Sequence, residues 1–476
     1  MNKNKIYKYV GLVCIAVSFW ACTPKLAHKS VNNPIPVSYN HSQDTTNSMS
    51  IKWKEYFSDP NLIALIDTAL MNNQELNITL MEIDIARNEV RERKGEYLPF
   101  VDMRGGLGLD KPGRYTSKGA NDATTEIKPG KEMPEPLPDY MIGAYATWEV
   151  DIWHKLRNAK KAAYTRYLST VEGRNFMITH LIAEIANAYY KLLALDNQLE
   201  IVNQNIEIQR NALEIVKLQK EATRVTELAV RRFEAQMLNT QSLLYDIQQE
   251  IIETENELNF LVGRFPQPIP RDAQIFINLV PDSIQAGIPS QLLENRPDIK
   301  QAEMEMAAAK LDVEVAKARF YPSMGIAAGI GFQAFNPSYL VKTPESLLYS
   351  LAGDIVAPLI NRNAIKAAYF SANSKQIQAV FHYQQTVLKA YLEVANQLAR
   401  ISNLEGSFNL KTRQVAALTE SIEISTDLFN SARADYMEVL LTQRDALESR
   451  FELIETKMEQ MQARVNIYQA LGGGWN

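Results

Sequence analysis

The side chains best able to carry catalysis are few and scattered. The five histidines, His28, His41, His154, His180 and His382, show no metal-like spacing and no pairing with a nucleophile. The run GIAAGIGF, Gly325 to Phe332, has the glycine content of a nucleotide loop. No Lys-Ser or Lys-Thr ends it, and Met324, Ile326, Ala328, Ile330 and Phe332 alternate with small residues, which marks a strand. The two cysteines, Cys14 and Cys22, lie near the N-terminus, so no disulfide framework holds the body together. The expectation is a chain with no catalytic, cofactor-binding or metal-binding residues.

With enzymatic chemistry set aside, the elements carry the information. Lys and Arg number 50 against 55 Asp and Glu, which gives nucleic acid no electrostatic hold. After Cys22 no uncharged apolar run approaches the ~20 residues of a membrane helix. Before it, Lys3, Lys5 and Lys8 precede an apolar Tyr9–Phe19 segment and then FWAC. This resembles a bacterial lipobox, with Phe19 where Leu is usual and Trp20 where a small residue is usual. Residues 1–21 read as a signal peptide, Cys22 as the lipidated residue, and 22–52 as a polar, lipid-anchored tether. Thr23, rather than Asp, follows the cysteine, which by the enteric sorting rule favours the outer membrane.

From Trp53 the pattern is helical, with Leu62, Ile63, Ile66 and Leu70, then Leu76, Leu80, Ile83 and Val90 on recurring faces. Near Pro99 it turns into alternation, with Val101, Met103, Gly105, Leu107 and Leu109 opposed to Asp102, Arg104, Gly106 and Gly108. A polar loop over Asp110–Asp139 leads to a second alternating run with Ile142, Ala144, Ala146, Trp148 and Val150 on one side. From Asn158 to Phe265 there is no proline. A single straight helix of that length would reach about 150 Å, so a hairpin is expected, turning near Lys220–Leu228. Its ascending arm carries two apolar columns, Leu199, Val202, Ile206, Leu213 and Val216, and Ile201, Ile208 and Ile215. One coiled-coil partner uses one seam; two seams fit a cylinder of helices.

The chain is a tandem repeat. Pro99 and Pro322 are 223 apart, and at that offset Met81, Glu82, Ala86, Val90 and Lys94 meet Met304, Glu305, Ala309, Val313 and Lys317. RNAKKAA at Arg157 matches RNAIKAA at Arg362, and EIANAY at Glu184 matches EVANQL at Glu393, an offset of 209 that still holds for Gly263 and Gly472. The first repeat spans 53–270, with strands about 99–109 and 140–150 and a helical hairpin over 155–264. The second spans 271–476, with a helix about 289–319, strands about 322–333 and 346–356, and a hairpin over 360–471. Four strands leave two bare edges, which lipid does not tolerate. Bacterial barrels begin at about eight strands, so closure demands oligomerisation, and three copies give twelve.

YLP at Tyr97, WEVDIWHKLRNA at Trp148, AEIANAYYKLLAL at Ala183, NRPDI at Asn295, FYPS at Phe320, DYMEVLLTQRDAL at Asp435 and YQALGGGW at Tyr468 occur in this order. In this the chain resembles the TolC-like outer membrane factors, in the lipoprotein branch serving resistance-nodulation-division (RND) efflux systems. The resemblance covers almost everything from Trp53 onward. It implies a mainly α protein with a membrane β-barrel portion. Each homotrimer would form a twelve-strand barrel in outer-membrane lipid and a twelve-helix periplasmic barrel. Partners would be a periplasmic adaptor and an inner-membrane RND transporter. The implied function is a passive duct for small-molecule export; an exit duct for type I protein secretion is the alternative on the same fold.

The resemblance also directs attention to particular residues. The family usually has a glycine at each hairpin tip that meets the adaptor; here Thr223 and Ala432 stand there, with Arg224, Val225 and Arg433 as further contacts. Glu438, with Asp435, corresponds to the acidic residues that line the periplasmic aperture, while the first repeat has Ala229 in place of Glu438. Pro99 and Pro322 mark the helix-to-barrel junctions. Tyr97, Trp148, Trp153 and Phe320 at the strand ends fit an aromatic girdle.

Overall fold

The computed structural model describes residues 23–27, 29–31, 35–39, 51–279, 285–431 and 433–475. Residues 1–21, read above as a signal peptide, and Cys22 and Ala432 lie outside them. After a short α1 (Trp53–Tyr56), α2 (Pro60–Asn72) opens on Asp59, whose carboxylate accepts the Asn61 N–H at 2.8 Å, with Pro60 in the first turn. Asn73 ends α2 and starts α3 (Gln74–Glu96), its side-chain oxygen accepting the Leu76 N–H at 2.8 Å. Strand β1 (Phe100–Asp110) follows. The segment expected as a polar loop instead holds α4 (Ser117–Asp122) and the paired β2 (Glu126–Lys128) and β3 (Lys131–Glu132). Strand β4 (Leu137–Val150) begins earlier than the pattern suggests, because the antiparallel ladder carries Asp110 to Leu137.

The long helices α5 (Lys155–Glu221) and α6 (Glu227–Val262) come next, then a 3₁₀ turn at Ala273–Asn278. In the second repeat one helix was expected over 289–319; the structure has two, α7 (Gln291–Asn295) and α8 (Pro297–Ala318). Pro297 disfavours helix in the residue before it, and Arg296 is extended, at φ −81° and ψ 120°. Strands β5 (Ser323–Ala334) and β6 (Leu347–Val356) then lead into α9 (Asn363–Asn430) and α10 (Tyr436–Ala470).

The chain divides into two compact units. One takes in Asp84–Leu168, Met304–Phe381 and the described residues up to Ser30; it holds a four-stranded antiparallel sheet ordered β1-β4-β5-β6. The other takes in Ser169–Glu303, His382–Asn476 and the described residues from Val31 to Ile83. Its core gathers Leu62 and Ile66 of α2, Tyr189, Leu192 and Leu193 of α5, and Leu258 of α6, all nearly or fully buried. Each such side chain contributes about 1.5–3 kcal/mol of apolar burial. No described helix is long and apolar enough to cross a membrane.

Candidate functional site

The sheet has two chemically distinct faces, and the register defines them. Directly paired residues share a face. Val101 pairs with Ala146 and Met103 with Ala144; Ala144 pairs with Ile330, and Ile330 with Tyr349. The same parity joins Leu107, Ile142, Trp148, Ile326, Phe332, Leu351 and Ile355 into one apolar face across all four strands. Much of it is bare: Met103 is 79 % exposed, Leu107 83 % and Leu351 79 %. The opposite parity collects Asp102, Arg104, Tyr145, Glu149, Gln333, Ser350 and Asp354 among glycines and alanines.

Polar contacts bridge that second face. Arg104 Nε donates to Asp102 at 2.6 Å, and its guanidinium stands 4.9 Å over the Tyr145 ring. Gln333 donates to Asp139 at 2.9 Å. Gly329 makes room for Tyr145: a Cβ there would lie 2.9 Å from the ring. An exposed apolar surface backed by a hydrated polar one is the pattern of a barrel wall, with lipid outside and water inside. Both β1 and β6 are edge strands within the described sheet.

At the junctions, Pro99 follows α3 and Pro322 follows α8 by a few residues, each immediately before its strand. Proline withholds an N–H and disfavours helix in the residue before it. The indole of Trp148 donates to the Tyr97 carbonyl at 3.1 Å, and that of Trp153 to the Pro322 carbonyl at 2.7 Å. These tryptophans therefore tie strand β4 and its exit to the junctions. Phe320 departs from the girdle reading. It is 3 % exposed and packs with Val313, Ala316 and Tyr369, because the turn after α8 points its ring inward.

Asp151, just past β4, is a junction residue that sequence reasoning passed over. Its buried carboxylate accepts the backbone N–H of Leu156 at 3.0 Å and of Arg157 at 2.9 Å, capping α5, and it also meets Arg157 Nε at 3.2 Å. Burial opposes its ionisation, but those N–H groups and the guanidinium outweigh it and hold its carboxyl below the ordinary aspartate value. The signal was present within WEVDIWHKLRNA, as an acid shortly before a helix start with an arginine in the first turn.

Both hairpins close at their bases by the same device. Gly263 (φ +78°) and Gly472 (φ +89°) are left-handed residues ending α6 and α10, and a Cβ on either would collide with a carbonyl, of Asn72 or of Asn295. Beside them, Asn73 Nδ2 donates to the Leu261 carbonyl at 2.8 Å, and Arg296 Nη1 to the Ala470 carbonyl at 2.9 Å. These are the same position in the two repeats. Arg296 goes further, pairing with Asp298 at 2.6 Å and Glu393 at 2.7 Å while 4 % exposed. Burial works against its charge, yet the two carboxylates more than compensate and raise its pKa.

At the other end of the hairpins the two tips share a backbone hydrogen bond. Thr223 N–H donates to Lys220 and Arg224 N–H to Gln219; Arg433 N–H likewise donates to Leu428. This is the hydrogen bonding of a Schellman cap, which favours glycine. Thr223 fills the left-handed position at φ +58°. Arg224 and Arg433 are exposed, whereas Val225 joins a cluster containing Leu213, Val216, Phe233, Val439 and Leu440 that packs the two tips together. Ala229 is fully buried in that cluster; Glu438 and Asp435 are exposed at the start of α10. Among the described residues no group of His, Cys, Asp and Glu is arranged to hold a metal.

Comparison with known proteins agrees with this geometry. The family model for outer membrane efflux proteins matches residues 65–264 and 288–473. The cation efflux system protein CusC of Escherichia coli O6:H1 is 24 % identical over 467 residues, covering 97 % of this chain and 98 % of that protein. The pyoverdine export outer membrane protein OpmQ of Pseudomonas aeruginosa is 24 % identical over 470 residues, covering 98 % and 97 %. The probable outer membrane lipoprotein SilC of Salmonella typhimurium is 24 % identical over 485 residues, covering 100 % and 98 %. Among solved structures, CusC superposes with a TM-score of 0.81 at 23 % identity, covering 95 % of this chain and 100 % of that one. The open state of the MtrE outer membrane channel of Neisseria gonorrhoeae gives 0.81 at 21 % identity, covering 96 % and 99 %. With its duplicated helical hairpins and two-faced sheet, the chain belongs to the outer membrane efflux protein family.

Proposed function

We propose that three copies of this chain close a twelve-strand barrel in the outer membrane and serve as the exit duct of a tripartite efflux system. The observation that carries the reading is the sheet itself. It has an apolar face, a polar face and two bare edges, and a bare edge in lipid leaves backbone groups without partners. The helices support the same stoichiometry. Leu238, Tyr245 and Ile252 recur at heptad spacing along α6 and are all more than half exposed, while Ile208 and Ile215 of α5, also at heptad spacing, are 37 % and 40 % exposed. Such a column is a seam for a helix of the next copy.

The remaining parts follow from this assembly. The hairpin tips, with Thr223, Arg224, Val225, Ala432 and Arg433, would meet a periplasmic adaptor, and an inner-membrane RND transporter would supply the energy. The duct conducts passively. The names of the relatives mention cations, pyoverdine, solvents and toluene at similar identity, which suits a duct whose upstream pump selects the cargo. A lipid on Cys22 would anchor the chain to the membrane; further along, Leu26 packs with Val313, Ala316 and Tyr369. Glu438, with Asp435, would ring the periplasmic aperture and favour cations. Planar-bilayer recording tests this reading. Wild-type protein should form channels, and Glu438→Ala should lower the cation-to-anion permeability ratio. A wild type without conductance contradicts the duct, and an unchanged ratio contradicts the aperture role.

A further inference from the structure

The strand connections place two loops, 111–136 and 335–346, at one end of the sheet. The ladder pairs Asp110 with Leu137, Tyr140 with Ala334 and Phe332 with Leu347 at that end, while α3, α5, α8 and α9 all join the strands at the other. Three ammonium groups converge on the loops. Lys128 Nζ donates to the Tyr339 hydroxyl at 2.8 Å, Lys342 stands 4.7 Å from the Tyr339 ring centre, and Lys131 stands 5.8 Å from that of Phe335. The two rings lie 5.2 Å apart, tilted 58° to one another, and form a bent platform.

None of these lysines has a carboxylate within 4.0 Å among the described residues, whereas neighbouring cations do: Arg114 pairs with Glu135 at 2.8 Å and Lys118 with Asp110. The uncompensated charge acts on Tyr339, whose phenol is drawn below its ordinary value first by the Lys128 hydrogen bond and then by Lys342 and Lys131. The cluster also lies where the apolar face ends. Phe332 and Leu347 form a terminal pair of that face, and Val341, beside Lys342, is 84 % exposed. A ligand fitting this place needs negative charge, ring faces to lie on aromatic side chains, and apolar chains running down the adjoining face.

We propose that Lys128, Lys131 and Lys342, around the Phe335–Tyr339 platform, bind the phosphorylated saccharide headgroup of a glycolipid in the outer leaflet. This rests on the reading that the sheet crosses the outer membrane. Lysine binds phosphate as a flexible point charge, and clustered lysines near a membrane surface add affinity for anionic headgroups. Sugar rings expose C–H faces that pack on aromatic side chains, and acyl chains would continue onto the apolar face below.

The test incubates detergent-solubilised wild type and a K128Q/K131Q/K342Q variant with bis-phosphorylated lipid A. Glycolipid retained after size exclusion is then counted by mass spectrometry. Retention should fall about tenfold or more in the triple variant and hold at the wild-type level in Lys118→Gln, whose lysine is already paired. Equal retention by the triple variant would overturn the proposal. So would equal retention of dephosphorylated lipid A, or of phosphatidylglycerol, by wild type. Channel formation by the wild type in a planar bilayer tests the underlying membrane reading separately from glycolipid retention.

Discussion

At the first hairpin tip, Glu227 is held by Lys220 and by Arg231 at 2.9 Å. At the second, Asp435 and Glu438 have no basic side chain within 4.0 Å among the described residues. The Lys220 hydrogen bond and the two cations keep the Glu227 carboxyl below its usual range. Both tips make the same backbone hydrogen bond, Arg224 to Gln219 and Arg433 to Leu428, and they differ in the charges around it. The bases of the hairpins differ in the same way. An amide, Asn73, reaches the Leu261 carbonyl in the first repeat, while an arginine bound to two acids, Arg296, reaches the Ala470 carbonyl in the second. Duplication repeated the geometry. The second copy has a charged latch at its base and unpaired acids at its tip.

The largest effect should come from the latches. Arg296→Ala leaves Asp298 without its partner and Glu393 with only Lys389, and losing these partly buried charge-assisted bonds costs about 2–3 kcal/mol. Asn73→Ala removes a neutral hydrogen bond and a helix cap, for about 1–2 kcal/mol. Denaturant unfolding in detergent compares the two, and equal losses would erase the asymmetry. Next comes the elbow after β4. Asp151→Asn should cost about 1–2 kcal/mol at neutral pH. Because the folded-state pKa of Asp151 is lowered, its contribution is present above the ordinary aspartate value of about 4 and is lost as pH falls through the folded value. The gap between wild type and variant should therefore close on acidification.

Smaller still is Thr223→Gly, which relieves a left-handed threonine and should stabilise the tip by about 1 kcal/mol; a loss of stability would mean that the threonine side chain holds the turn. Last, Glu438→Ala and Glu227→Ala should each change stability by less than about 0.5 kcal/mol. They should separate in bilayer recordings, where only Glu438→Ala alters cation selectivity. Equal changes in selectivity would contradict the contrast between the tips.

Much of the fold can be read from periodicity. Val101, Met103 and Leu107 alternate with Asp102, Arg104 and Gly108, and alternation is all a two-faced strand requires. Repeat offsets align Gly263 with Gly472 because a left-handed helix end tolerates little else. What periodicity cannot show is contact between distant elements. Arg296 looks like a surface residue until the Glu393 and Ala470 groups arrive from α9 and α10. Phe320 looks like a girdle aromatic until the turn after α8 buries it against Tyr369. Asp151 reads as a strand-end acid, and only the fold places it beneath the Leu156 and Arg157 N–H groups. The unpaired state of Glu438 is likewise a property of its neighbours.

In the proposed assembly one chain supplies a third of a barrel. The most direct measurement is the number of protein chains per particle in detergent-extracted material, by light scattering corrected for bound detergent or by native mass spectrometry. Three chains per particle are expected. A stable monomer with its sheet intact would contradict it, since the β1 and β6 edges would then have to survive in lipid without partners.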